Sequence, residues 1–253
     1  MSGWTYPYSS GVLPTKGAIE IATGKKPSQV KSQWNFTSAE RAFISIPGKV
    51  SSIVGREEAR ILPFVKDVFF RIKPGTVVSF PENNVTKCGN VISAAPEREA
   101  AVNSAESAAR SILIRLETPN EDTENFLSSK EAFPPDIYPP DAFHLNEPLL
   151  SVLKTVLTTM PESFCSCLTD DISIFPLKEL LESDLKDYMG RNVKESLEAI
   201  RVLTGLSLPV LTAENLQPKA NCPFLGRSFW LTLIRGGYQG AVYYIDSLRT
   251  KNE

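Results

Sequence analysis

The sequence predicts an α+β fold: a small antiparallel sheet with one covering helix, followed by a mainly helical C-terminal region. Three short runs are rich in Val, Ile and Phe and are bounded by Pro, Gly and Asn, which is typical of half-buried strands. They are Ala42–Ile46, Asp67–Ile72 and Asn90–Ala94. A helix is predicted directly after them, near Arg98–Ile114, because small and apolar residues recur there at helical spacing. We therefore expect the three runs to share one sheet, with this helix laid over it.

The predicted helix has one apolar face, which would pack on the sheet. That face comprises Ala101, Ala105, Ala108, Ala109, Ile112 and Leu113. The core of this layer is predicted to include Ile44, Val68, Phe70, Ile92 and Ile112. Pro47-Gly48 and Pro74-Gly75 supply turns, since proline presets φ and glycine accepts a positive φ.

Composition divides the chain into an α+β region (1–117), a Pro-rich connector (118–146) and a helical region (147–253). Adjacent prolines in the connector fix φ and remove N–H donors, so a stiff extended segment is expected at 133–141. The simpler interpretation of this connector is a linker or surface loop, and the more specific alternative is a docking site with a proline motif. Helices are predicted at Pro148–Thr159, Pro176–Met189 and Val193–Thr204, and a short one at Leu13–Thr23.

The charge balance excludes several classes of protein. The formal net charge is −2, so there is no basic surplus to attract nucleic acid or anionic lipid. No apolar run approaches the ~20 residues of a membrane-spanning helix. The first ten residues also lack the charged and apolar leader of a signal peptide. The sequence thus predicts a cytoplasmic protein without nucleic-acid or membrane partners, and a small-molecule substrate remains open.

Four cysteines and one histidine limit covalent and metal chemistry. Cys165 and Cys167 are too close together for a usual zinc site, and His144 is not at ligand spacing. One histidine leaves little room for Ser-His-Asp or Cys-His catalysis. We therefore predict no metal site, leave the catalytic residues unassigned, and interpret the thiols, including Cys88 and Cys222, as those of a protein in a reducing compartment.

A Gly-rich stretch near the C-terminus is the remaining candidate site. Arg235, Gly236 and Gly237 could hold an anion, because a cation stands beside a flexible backbone. The simpler alternative is a tight turn between two packed segments. Carboxylates in a polar loop could likewise bind a cation, although they are more often only solvated; they are Glu117, Glu121, Asp122 and Glu124.

Several short motifs follow one another in a characteristic order. They are Ser9-Ser10-Gly11, Ala18–Gly24, Pro47-Gly48-Lys49-Val50 with Gly55 beyond it, Pro74-Gly75, Gly89–Ile92 and Arg98-Glu99-Ala100. Over residues 9–117 this order resembles the C-terminal part of ATP-grasp carboxylate–amine ligases, the group that contains the amino-acid ligases. The resemblance rests on pattern and order rather than on one invariant signature.

The resemblance implies an ATP-dependent reaction in which a carboxylate is phosphorylated and an amine attacks the acyl phosphate. In that family the nucleotide-binding lobes precede the matched segment, and Trp4-Thr5-Tyr6-Pro7 stands near where a Glu-x-Asn metal motif would end. The expectation is therefore a truncated or split ligase component for small-molecule biosynthesis, active only with missing lobes from another chain. It would bind no cofactor alone, whereas a complete family member would use ATP and Mg²⁺. Ser9, Ser10 and Gly11 are the residues nearest the expected acceptor pocket.

Two alternatives stay open beside a ligase component. One is a non-catalytic binding or regulatory protein derived from a terminal lobe, and the other is a helical interaction protein whose C-terminal region carries the function. The helix Leu13–Thr23 bears on this choice, since its apolar residues Ala18, Ile21 and Ala22 need a surface to cover them. We predict that this face is partly uncovered and meets a protein partner, unless Phe229–Ile245 folds over it.

Overall fold

The computed structural model describes residues 3–128, 141–143, 145–164, 171–212 and 223–250 of the 253. Helices and short antiparallel strands alternate along the first half, and helices dominate the second, so the predicted α+β class is confirmed. In chain order the elements are α1 (Thr5–Ser10), α2 (Pro14–Ala22), β1 (Thr37–Phe43), β2 (Gly48–Val54), α3 (Arg56–Ile61), β3 (Val65–Phe70), β4 (Val77–Val78), β5 (Gly89–Ala95), α4 (Arg98–Ser111), β6 (Leu113–Leu116), α5 (Glu121–Ser128), α6 (Glu147–Thr159), β7 (Ser173–Ile174), α7 (Lys178–Leu181), α8 (Val193–Thr204), β8 (Phe224–Leu225) and α9 (Arg227–Thr250).

The chain forms two units that are interleaved along the sequence. The first unit comprises the described residues of Met1–Ile44, Val54–Lys73 and Pro81–Ile112, and the second those of Ser45–Ile53, Pro74–Phe80 and Leu113–Glu253. The boundaries predicted at 117 and 146 stay a prediction. Residues 118–146, predicted as an extended connector, begin with helix α5, and the paired prolines lie outside the described residues.

The first unit contains a three-stranded sheet with β5 in its centre. Strands β1 and β3 both run antiparallel to β5, every residue of which is buried. The runs predicted at Asp67–Ile72 and Asn90–Ala94 therefore share one sheet, as expected, whereas only Ala42 and Phe43 of the run Ala42–Ile46 belong to it. The first strand was misplaced, however: it is Thr37–Phe43 and not Ala42–Ile46. Its polar residues concealed it, and its pairing ends where Phe43 stands opposite Gly89.

Helix α4 covers this sheet with its row of alanines. Ala101, Ala105, Ala108 and Ala109 are all buried, and the Ser93 Oγ donates to the Ala101 carbonyl oxygen at 2.5 Å. Of the predicted core, Ile92 and Ile112 are buried. The prediction was wrong for Ile44, Val68 and Phe70, which are only half-buried. For Val68 and Phe70 the reason is that β3 is an edge strand, with β5 on one side only.

Truncation of Ile92 to alanine is expected to lower the free energy of unfolding by about 2–5 kcal/mol, since its side chain is fully buried in the central strand. Urea unfolding followed by circular dichroism measures the change. Ile61→Ala provides a matched control in the same unit, because Ile61 is 81% exposed and should change stability little. Equal losses in the two variants would contradict this description of the core.

The second unit is built around α9. Trp230 and Phe229 are fully buried, and the Trp230 Nε1 donates to the Phe175 carbonyl oxygen at 2.7 Å. A second sheet has the strand order β4-β2-β6, and β7 pairs in parallel with β8. Arg115 of β6 donates to both carboxylate oxygens of Asp246 in α9, so a bidentate ion pair fastens the last helix to this sheet.

Two of the three predicted helices of the C-terminal region are confirmed. Helix α8 has the predicted bounds and begins at a capping box formed by Asn192 and Glu195, and α6 begins one residue before its predicted start. The helix predicted at Pro176–Met189 was wrong, because α7 covers only four residues. The Asp187 Oδ1 accepts from the backbone N–H groups of Met189 and Arg191 at 2.8 and 2.9 Å, which folds this stretch into a turn instead.

None of the helices in the described residues is long and apolar enough to cross a membrane.

Candidate functional site

The predicted substrate residues Ser9, Ser10 and Gly11 form the C-terminal end of helix α1. The Ser10 Oγ donates to the Tyr6 carbonyl oxygen at 2.9 Å, and the Ser9 Oγ does so at 3.2 Å. Gly11 caps the helix with φ 75°, and its N–H donates to the Pro7 carbonyl oxygen at 2.9 Å. A glycine is needed at this left-handed position. The three residues thus close the helix, with both hydroxyl groups bonded locally.

The segment that follows α2 holds this corner from the other side. The Trp34 Nε1 donates to the Tyr8 carbonyl oxygen at 2.9 Å, and the Gln29 Nε2 donates to the Gly11 carbonyl oxygen at 2.8 Å. The Trp34 ring lies so near that a Cβ added to Gly11 would be 3.0 Å from it. The corner is therefore closely packed around Gly11. A substrate contact at Ser9, Ser10 and Gly11 stays a prediction.

Tyr8 and Asp67 form a hydrogen-bonded pair beside this corner, which the sequence did not indicate. The Tyr8 hydroxyl donates to the Asp67 Oδ2, and the Trp4 ring packs on Phe69 at 5.0 Å, so α1 is bound to strand β3. Burial, with the bond to Asp67 and its negative charge, raises the pKa of Tyr8 to about 12. Tyr8 thus keeps its proton at neutral pH and serves as a donor.

The Tyr8 phenol should ionise near pH 12 rather than near 10. Because the folded state favours the protonated phenol, its contribution to stability is complete below about pH 10 and is lost as the pH rises through about 12. The near-ultraviolet absorbance of phenolate measures this when the titration of the parent is compared with that of Tyr8→Phe. A difference centred at the ordinary tyrosine pKa would contradict the pairing with Asp67.

Arg235, the predicted anion-binding cation, is buried in the second unit. Its Nε donates to the Phe126 carbonyl oxygen at 3.0 Å, and its guanidinium lies 4.7 Å from the centre of the Phe126 ring. The Nη2 has no hydrogen-bond partner among the described residues. Burial lowers the pKa of Arg235, and the carboxylate of Asp141 opposes that shift. The Arg235 Nη2 is thus a donor without an acceptor among the described residues. Anion binding at Arg235 stays a prediction.

Gly236 and Gly237 lie where two packed helical segments meet, which agrees with the simpler alternative of a turn between packed segments. Both lie within α9, which consists of two helical segments that meet at Gly237, where φ is 61° and ψ is −154°. The Tyr188 hydroxyl donates to the Gly236 carbonyl oxygen at 3.0 Å next to this kink. Apolar residues of both helical segments are packed in the core, so the kink at Gly237 joins two buried segments.

Two glycines of α9 bring this helix close to α5. A Cβ added at Gly236 or at Gly240 would lie 2.8 Å from the Leu127 Cδ2, and one at Gly240 would also lie 2.2 Å from the Thr232 carbonyl oxygen. The glycines therefore serve the packing of α5 on α9. Ser9–Gly11 belongs to the first unit and Arg235–Gly237 to the second, so each candidate site stands by itself.

Cys88 is the cysteine within the described residues, and it is buried. Burial raises the pKa of its thiol to about 12, which keeps the sulfur protonated and unreactive. Cys165, Cys167, Cys222 and His144 lie outside the described residues. In the part of the chain that the structure describes, no three histidine, cysteine or acidic side chains converge as metal ligands would.

Comparisons with known proteins find one family match. The family model "L-amino acid ligase C-terminal domain 2" matches residues 42–117, less than a third of the chain. No curated protein matches. Two solved structures are similar over 46% of this chain, each with a TM-score of 0.40: a phosphoribosylglycinamide synthetase from Anaerococcus prevotii, 17% identical, and an L-amino acid ligase from Bacillus licheniformis, 15% identical. This chain spans only 31% and 29% of their respective lengths. The predicted resemblance to the C-terminal part of amino-acid ligases is thus confirmed for residues 42–117.

Proposed function

We propose that this chain is a component of an ATP-grasp-type carboxylate–amine ligase that joins amino acids in small-molecule biosynthesis. The observation that supports the proposal is the match of residues 42–117 to a C-terminal domain of L-amino acid ligases. The matched stretch runs from the end of β1 through β6 and includes the buried strand β5 and its covering helix α4. In this proposal the nucleotide-binding lobes are supplied by other sequence, and this chain completes the substrate side.

A second candidate is a non-catalytic binding or interaction protein derived from such a lobe. The apolar residues of helix α2 favour it, since Ile19 is 60% exposed and Ile21 is 62% exposed. The neighbouring aromatic residues Trp4 and Tyr6 are exposed as well. Exposed aliphatic and aromatic side chains are typical of interaction surfaces when they form one patch, which is what we propose for these residues. In either candidate we propose that a protein partner covers this face.

The chain alone is expected to show no saturable heat when Mg-ATP is titrated into it at micromolar concentration. The physical reason is that its sequence has no Gly-rich phosphate-binding motif of the GxxxxGK[ST] type to hold the phosphates. Isothermal titration calorimetry makes the measurement. Tight saturable binding would contradict this expectation and would direct attention to Arg235.

Reconstitution then separates the two candidates. The reading frame next to this gene should encode an ATP-grasp polypeptide that ends in a Glu-x-Asn motif, and the two proteins are mixed with Mg-ATP and pairs of amino acids. A ligase component should make phosphate release and dipeptide formation depend on this chain. A complex that forms without either reaction would favour the non-catalytic candidate.

The proposed partner face is tested separately with Ile19→Asp and Ile21→Asp combined. Both side chains are exposed, so the double variant should fold normally and lose the association. Light scattering over a concentration series measures self-association, and co-elution measures binding of the second polypeptide. Unchanged association of the double variant would remove helix α2 from the interface.

A further inference from the structure

A cavity of about 680 Å³ lies in the second unit between helices α5 and α9. Its size is within the range of about 300–1,000 Å³ that is usual for sites of small molecules. Apolar surface is provided by Leu127, Leu231 and the Tyr244 ring, and hydroxyl groups stand between them. Leu231 is a large aliphatic residue of α9 that is 47% exposed. The sequence had marked Glu124 only as one of several carboxylates in a polar loop that could bind a cation, and it had indicated no cavity.

One charged side chain lines the described part of this cavity, and it is the carboxylate of Glu124. No arginine or lysine stands among the described lining residues, and Glu124 has no ion-pair partner among the described residues. A negative charge at the edge of an apolar cavity favours a ligand that brings a positive charge and disfavours an anion.

The carboxylate is held in place by a buried phenol. The Tyr243 hydroxyl lies 3.0 Å from the Glu124 Oε1 and 3.1 Å from the Asn120 carbonyl oxygen, and it accepts from the Asn120 N–H at 2.6 Å. Burial raises the pKa of Tyr243 to about 12, so this phenol remains a donor at neutral pH. The Glu124 Oε2 has no hydrogen bond or ion pair to another described residue. One carboxylate oxygen is thus fixed and the other is available to a ligand.

We infer that this cavity binds a small organic amine, a molecule with an apolar body and one protonated amino group. The ammonium group donates to the Glu124 Oε2, and the apolar body packs on Leu127, Leu231 and the Tyr244 ring. The inference rests on the cavity, its charge and the orientation of Glu124. It does not depend on the ligase proposal, since all of these residues lie outside the stretch that matches the ligase family.

Three compounds with the same ring system test the charge preference. Tryptamine, tryptophol and indolepropionate carry an amino, a hydroxyl and a carboxylate group on an indole body. Calorimetry with the full chain should show saturable binding of tryptamine. Tryptophol should bind about tenfold more weakly, because a hydrogen bond to a charged group is lost, and indolepropionate should not bind. Absence of tryptamine binding, or equal binding of indolepropionate, would overturn the inference.

Two substitutions in helix α5 test the role of Glu124 in binding. Glu124→Gln keeps the shape and removes the charge, so the affinity for tryptamine should fall about tenfold. Glu121→Gln is the matched control: Glu121 is also exposed in the first turn of α5 but does not line the cavity, so affinity should be unchanged. Leu231→Arg, which puts a cation at the cavity wall, should abolish binding. Identical affinities of the two glutamine variants for tryptamine would show that tryptamine binds at another site.

Discussion

Replacement of Gly240 by alanine is expected to lower the free energy of unfolding of the second unit by about 3 kcal/mol, since the new methyl group has no space. A Cβ at this position would lie 2.2 Å from the Thr232 carbonyl oxygen, a backbone atom of the preceding helical segment. The kink at Gly237 brings these two segments together, so neither can withdraw without opening the core around Trp230. Thermal and urea unfolding measure the loss.

Gly236→Ala is the matched control for this prediction. Its Cβ would also lie 2.8 Å from the Leu127 Cδ2, but that atom is the end of a flexible side chain, and no backbone atom is close. Alanine also favours helix over glycine by about 1 kcal/mol, which offsets part of the crowding. We therefore expect a change within about 1 kcal/mol. Equal losses at the two glycines would show that the backbone contact is not the cause.

Replacement of Gly55 by alanine should destabilise the first unit to a similar degree, for two separate reasons. Gly55 has φ 84°, which costs a residue with a Cβ about 1 kcal/mol. Its Cβ would also lie 1.9 Å from the Ser111 carbonyl oxygen, at the end of helix α4. Since Gly55 is the N-cap residue directly before α3, relief of this overlap requires α3 to move away from α4. The expected total is about 3–5 kcal/mol in urea unfolding.

Gly24→Ala, in the same unit, separates the cost of the positive φ from the cost of the close contact with Ser111. Gly24 has φ 75°, and a Cβ there would meet nothing within 4 Å, so only the backbone term applies. A loss of about 1 kcal/mol is expected for this control. If Gly55→Ala lowered the free energy of unfolding no more than Gly24→Ala, the close approach of Ser111 would not contribute to the destabilisation.

The sequence predicted correctly those helices whose ends and apolar faces are determined by their own residues. Both ends of helix α8 were predicted correctly, because its apolar spacing and its stop signal, Gly205, lie within or next to the helix itself. The alanine face of α4 was found for the same reason. Strand β1 was misplaced because Ser38, Glu40 and Arg41 conceal the alternation, and only its pairing with β5 defines it. The helix predicted through Asp187 failed because a side-chain bond to the backbone replaced the helical one.

The candidate sites depended on contacts that no local pattern contains. Ser9 and Ser10 were selected by the order of motifs, but their carbonyl oxygens accept from the backbone N–H groups of Phe36 and Gln33, in a segment with no motif of its own. Gly236 and Gly237 were noticed as unusual, yet the space around Gly236 is set by Leu127 and that around Gly237 by Asp187, both far away in the sequence. Glu124 and Tyr243 are likewise 119 residues apart, so only the fold brings them together.

The interleaving of the two units has a consequence for synthesis on the ribosome. The backbone N–H of Ile46 is satisfied by the side chain of Gln239, 193 residues later, and that side chain also donates to the Ile114 carbonyl oxygen. At the usual rate of about 5–20 residues per second, the ribosome needs roughly 10–40 s to deliver Gln239. Throughout that interval the backbone N–H of Ile46 lacks its final hydrogen-bond partner. The second unit of the nascent chain is therefore open to chaperones, and to aggregation, until α9 emerges.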